Sequence, residues 1–241
     1  MLKAIWCVVR PNELSLDEFA QHWFEVHGQL HLQAGHRLLG YSQTHTLIRA
    51  YDAEPKPTQE GASIVWLEDI AAYEEAIKTR AFQDAVRDAA SGVDGKPLLG
   101  DPLPFAFARE HVLVDGPVDP FMIKAVYTVR RHPDVALDRF FAHWRDVHGA
   151  IAARLPGLRR YVQNHGLPEA SAYGPDPHDG WAETWFNSLA DFQNAFASDV
   201  WRELEEDSLH GVDGGPLFDQ ASTCFVLGRE RFLLVPPHLR T

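Results

Sequence analysis

The chain repeats itself, and no other feature constrains its fold as strongly. The segment LKAIWCVVR at residues 2–10 matches IKAVYTVRR at 123–131, which sets Lys3 and Lys124 121 positions apart. The agreement runs on without a gap. Leu16, Asp17, Phe19, His22, Trp23, Val26, His27 and Gly28 recur as Leu137, Asp138, Phe140, His143, Trp144, Val147, His148 and Gly149. Further on, Tyr41 and His45 return as Tyr161 and His165, Trp66 returns as Trp185, and GVDG at 92–95 returns at 211–214. A duplicated unit of this length needs its neighbour to bury an apolar face. The join lies in VDGPVDP, residues 114–120, whose glycine and prolines resist regular structure, so the units are 1–114 and 120–241.

Each unit reads as strand, helix, strand, strand, helix, strand. KAIWCVV is β-branched and aromatic, and Pro11 stops it. Ser15 and Glu18 then form a capping box. Beyond it, Leu16, Phe19, Trp23, Val26 and Leu30 make one apolar stripe, matched by Leu137, Phe140, Trp144, Val147 and Ile151. Strands are expected at 39–47, 62–67 and 105–113, and again at 158–165, 181–186 and 223–234, with second helices at 69–79 and 188–198. The order βαββαβ is a ferredoxin-like unit, an α+β fold with its helices on one sheet face. Two such units in one chain can close on each other as an intrachain pseudo-dimeric α/β barrel.

Composition narrows the partners. With 45% hydrophobic and 23% charged residues the chain is globular, and its net charge of −12 repels phosphate backbones and anionic lipid. No nucleic acid and no membrane partner is expected, and a homodimer is left open. Cys7 and Cys224 sit in apolar runs without a CxxC pair, which excludes a disulfide framework or zinc ribbon. The apolar start ends at Arg10 and Pro11, too short for a leader or a span, so a cytoplasmic protein is expected.

F-x-x-H-W-x-x-V-H-G in the first helix, R-R-Y-V-Q-N-H on the second strand and A-E-T-W-F on the third together resemble the EthD family of the dimeric α/β-barrel superfamily. The second half is the closer match, with Phe140, His143, Trp144, His148, Tyr161, Asn164, His165, Glu183 and Phe186 in place. The resemblance implies cofactor-free tailoring enzymes of aromatic polyketides (decarboxylases, dehydratases, cyclases, some oxygenases) or accessory proteins of oxidative degradation.

The halves differ at the third strand, where Glu183 aligns with Ile64, and at the second, where Asn164 aligns with Thr44. A carboxylate alternating with apolar neighbours points into the sheet interior or a cleft, where burial raises its pKa and fits it for acid or base work. Its competing reading is an ion pair with Arg159 or Arg160. His165, on the strand face of Tyr161 and Gln163, is the proton shuttle this reading pairs with Glu183, and His45 is its first-half equivalent.

On an ideal helix with Phe140 at zero, Trp144 lies near about 40°, His148 near about 80° and His143 near about −60°, so the two histidines flank the stripe on opposite edges. Five-residue spacing suits a metal poorly. The catalytic candidates are therefore Glu183, His165 and His148. Trp144, Tyr161, Asn164, Trp185, His143 and His45 are expected to bind a small apolar or aromatic molecule. No metal site is expected, and with no phosphate loop or nucleophile elbow no cofactor is expected either. The reaction expected is proton transfer (lyase, dehydratase or isomerase). A cofactor-free monooxygenase and a non-catalytic ligand carrier are the alternatives.

Overall fold

The computed structural model describes residues 1–34, 37–100, 103–173, 178–219 and 224–240. In the first half the strands are β1 (Leu2–Val8), β2 (Leu38–Thr46), β3 (Gly61–Leu67) and β4 (Phe105–Val114). In the second they are β5 (Ile123–Val129), β6 (Leu158–Gly166), β7 (Gly180–Phe186) and β8 (Phe225–Leu234). Thr223, placed in the last strand by the sequence, lies outside the described residues.

The eight strands close into one antiparallel barrel in the order β1-β3-β2-β8-β5-β7-β6-β4. The halves join edge to edge. Strand β2 pairs with β8 from Tyr41↔Leu234 to Thr46↔Gly228, and β4 pairs with β6 from Ala108↔Gly166 to Val114↔Tyr161. Closure leaves no free sheet edge to template association. It also cuts the molecule into two environments: a barrel interior, and a layer between the outer sheet face and the helices.

The helical layer departs from the expected outline in two ways. The long helix of each half is not uniformly α. A π-helical turn, Trp23–His27 in the first and Trp144–His148 in the second, interrupts it, and the Gly28 and Gly149 amides bond back to the Trp23 and Trp144 carbonyls. A strand side chain steadies each insertion: Gln43 Nε2 donates to the Trp23 carbonyl at 3.0 Å and Gln163 Nε2 to the Trp144 carbonyl at 2.7 Å. Glycine follows the turn because a Cβ at Gly149 would lie 2.5 Å from Leu113 and 3.0 Å from the Gln163 amide. The second departure is a third helix in each half, Arg80–Ser91 and Asp199–His210, capped by Thr79 and Ser198.

The long loops cross over. Ala50 and Ala53 of the first half belong to the core cluster of the second, while Leu167 and Ala170 of the second pack into that of the first. Each half is thus completed by the other in both its sheet edges and its loop cover. Expressed alone, 1–114 or 120–241 would expose two unpaired edges and is expected to self-associate. Sedimentation of either half at micromolar concentration checks this, and a folded, monomeric half would contradict it.

Candidate active site

The π turn resets the helix phase. In an i→i+5 geometry residues five apart share a face, so His143 and His148 do not flank the stripe on opposite edges as ideal spacing predicts. Both reach one carboxylate: His143 Nε2–H donates to Asp207 Oδ1 and His148 Nδ1–H to Asp207 Oδ2, each at 2.8 Å. Asp207 comes from the third helix, which sequence reasoning missed. Partial burial works to raise the Asp207 pKa, but the bonds from His148 and His143 win and hold the carboxyl below its usual range. An ionised Asp207 fixes the proton on His148 Nδ1 and leaves Nε2 as the ring nitrogen with a lone pair.

His148 lines a cavity of about 530 Å³ between the second-half sheet and its helices. The walls are mostly apolar, with Trp144, Leu155, Phe186, Phe196, Trp201 and Phe218 among them, and Pro55 reaches in from the other half. Tyr127, Tyr161 and Thr184 supply hydroxyls from the sheet side. The Tyr161 oxygen accepts from Gln163 Nε2 at 2.8 Å, so the same amide that steadies the π turn orients this phenol and leaves its proton to be donated. Burial pushes both tyrosine pKa values up, keeping them protonated donors. An apolar chamber with one imidazole base and a phenolic donor can bind a flat molecule and move a proton to or from it.

Glu183 is elsewhere. It pairs across the ladder with Val162 and faces the barrel interior, whereas Tyr161, Gln163 and His165 face the helices, so Glu183 and His165 lie on opposite sides of one sheet. Its partners are not Arg159 or Arg160. Lys3 Nζ approaches Oε1 at 2.6 Å, Lys124 Nζ approaches Oε2 at 2.7 Å, and Asn164 Nδ2 donates at 2.8 Å. Burial works to raise its pKa as expected, but the Lys124 and Lys3 ammoniums overcome that and hold the carboxyl well below the carboxylate range. The network continues through Lys124 to Glu230 at 2.6 Å and through Lys3 to Glu110 at 2.5 Å. Trp185, expected to bind ligand, instead donates to Glu230 at 3.1 Å inside the barrel, under the Lys124 ammonium at 4.6 Å from its ring.

His165 packs behind the cavity wall. Its ring stacks on Trp144 at 5.0 Å and Phe141 at 4.5 Å, and its Nε2–H donates to Gln163 Oε1 at 3.1 Å. Burial lowers its pKa to about 3, so it is a neutral ring at physiological pH. His45 repeats this arrangement on Gln43 at 3.0 Å, beside Trp23. Of the expected site residues, the structure therefore brings together His143, Trp144, His148 and Tyr161, and sends Asn164, Glu183 and Trp185 to the barrel interior. Among the described residues, no group of three or more His, Cys, Asp or Glu is gathered in a way that could hold a metal ion. Nor is any helix among them long and apolar enough to cross a membrane.

Residues 132–215 match the sequence profile of the EthD domain. The second half carries an EthD domain. No curated protein matches the chain by sequence. Solved structures match nearly the whole chain. An anthrone oxidase-like protein superposes with a TM-score of 0.62 at 8% identity, covering 96% of this chain and 92% of its own. A candidate monooxygenase from Fusobacterium nucleatum gives 0.58 at 11% identity, covering 98% and 94%. A chlorite dismutase from Candidatus Nitrospira defluvii gives 0.53 at 12% identity, covering 94% and 91%. At such identities the likeness is one of fold: the dimeric α/β barrel, here built within one chain.

Proposed function

We propose that the second-half cavity is the active site of a cofactor-independent enzyme that binds an aromatic or polycyclic phenol or ketone and transfers a proton. His148 Nε2 is the base, Asp207 fixes its tautomer, and the Tyr161 hydroxyl holds the substrate oxygen as charge develops on it. The observation that carries this reading is a dyad whose His148 bonds Asp207 through Nδ1 and belongs to the lining of a large, mostly apolar chamber. The roles first expected of Glu183 and His165 pass to His148 and Tyr161, because neither Glu183 nor His165 lines that chamber. The barrel shared with a candidate monooxygenase and an anthrone oxidase-like protein supports a second reading, in which the same base ionises the substrate and the resulting anion reacts with oxygen.

Incubation of a panel of bicyclic and tricyclic ketones with the protein in deuterium oxide tests both. The expected result is catalysed exchange of the hydrogens next to the carbonyl, accompanied by saturable quenching from Trp144 and Trp201. Oxygen consumption during turnover decides for the second reading. Absence of both exchange and saturable binding across the panel overturns the assignment.

A further inference from the structure

The polar constellation of the active site is duplicated in the first half. Asp88 accepts from His22 Nε2 at 2.7 Å and from His27 Nδ1 at 2.9 Å, and Gln43 Nε2 donates to the Tyr41 hydroxyl at 2.8 Å. The dyad differs in the residue four positions after its second histidine, which is Ala152 in the second half and His31 in the first. His31 Nε2 lies 3.1 Å from His27 Nε2. The ring nitrogen that remains free after the carboxylate bond in His148 is therefore occupied in His27, whichever ring donates.

The space beside His31 is also divided. Voids of about 180 and 40 Å³ in the first half are both lined by His31, together with Trp6, Val65, Tyr73 and Phe82. The second-half cavity beside His148 measures about 530 Å³, with Ala152 in its lining. Burial lowers the His31 pKa to about 3, so the ring sits there uncharged and needs no counter-ion.

We propose that His31 silences a second aromatic-binding site, capping the His27 base and partitioning a cavity that would otherwise admit a bicyclic phenol. Without the imidazole the two voids merge beside a freed His27 Nε2, reproducing the second-half arrangement in miniature. The inference rests on reading the His148 cavity as an aromatic site, so its test carries one readout that does not depend on that reading.

Calorimetric titration with 2-naphthol is expected to give one site in the wild-type chain, two in His31→Ala and none in Ala152→His. Ala152→His installs the plug in the second half, and it carries the test if His31→Ala does not fold. Diethyl pyrocarbonate supplies the ligand-independent readout: the imidazole nitrogen attacks a reagent carbonyl, an N–C bond forms, and ethyl carbonate leaves. Peptide mass mapping should find His27 unmodified in the wild type and modified in His31→Ala, and His148 modified in the wild type and protected in Ala152→His. No 2-naphthol binding to the wild type, with His27 still switching on in His31→Ala, would overturn the aromatic-site reading and leave the plug standing. One site in both the wild type and a folded His31→Ala, or equal His27 modification in both, would overturn the plug.

Discussion

Replacing His148 with asparagine is expected to lower turnover by about 10²–10⁴-fold, the usual worth of a positioned general base, with little change in ligand affinity. Asparagine is the informative substitution because its Nδ2–H can stand where imidazole Nδ1–H stands and still donate to Asp207 Oδ2. What it lacks is the second nitrogen. His143→Asn removes a bond to the same carboxylate without touching the base, so it should cost far less. The comparison must be made as kcat against KM, because a merely structural His148 would move stability or KM and leave kcat alone. Full turnover in a folded His148→Asn protein would sink the assignment.

Much of this architecture is legible in the chain. The repeat, the capping box at Ser15 and the strand periodicity lead to two ferredoxin-like units and a barrel, because edge pairing and helix cover are properties of local pattern. The dyad is half legible. His148 stands out in the repeat, yet Asp207 belongs to a helix that buries only Leu204, and its equivalent, Arg80–Ser91, buries only Ala85. Each nevertheless carries an apolar stripe at helical spacing, Phe82, Ala85, Val86 and Ala89 in one and Val200, Trp201 and Leu204 in the other, which was legible in the chain. A usable signal was present in the caps Thr79 and Ser198, and in an aspartate standing four residues before GVDG in both halves. The π turn is not legible, since nothing in WRDVH opposes an α-helix and the Gln163 amide that steadies the insertion comes from a strand 19 residues away. Glu183 shows the same limit. Its face follows from alternation, but its charge state depends on Lys3, 180 residues distant.

The barrel interior yields the largest expected stability effect. Lys124 is fully buried and is the only cation paired with Glu230 among the described residues, at 2.6 Å, while also holding Glu183 at 2.7 Å. Lys124→Met keeps the length and apolar stem of the side chain and removes only the ammonium. Glu183 then retains Lys3, but Glu230 is left with Ser42 Oγ at 2.6 Å and Trp185 Nε1 at 3.1 Å, two neutral donors for a buried carboxylate. Breaking a buried ion pair on one side costs about 3–5 kcal/mol, which for a chain of this size is a fall of roughly 6–20 °C in Tm.

The pH dependence gives the cause away. In the wild type the Glu183 pKa is depressed by the lysines, so its contribution to stability is present above the unfolded carboxyl pKa and is lost as pH falls through and below it. In Lys124→Met, Glu183 loses one of its two cations and its folded pKa rises, so the folded variant takes up protons more readily than the folded wild type. The deficit relative to wild type should therefore narrow between pH 8 and about pH 5. The double variant Lys124→Met/Glu230→Gln should recover part of the loss at pH 8, because the uncompensated charge and not the missing contact is what destabilises. Denaturant unfolding at the two pH values measures all three. A pH-independent deficit with no recovery in the double variant would show that the ammonium serves packing alone.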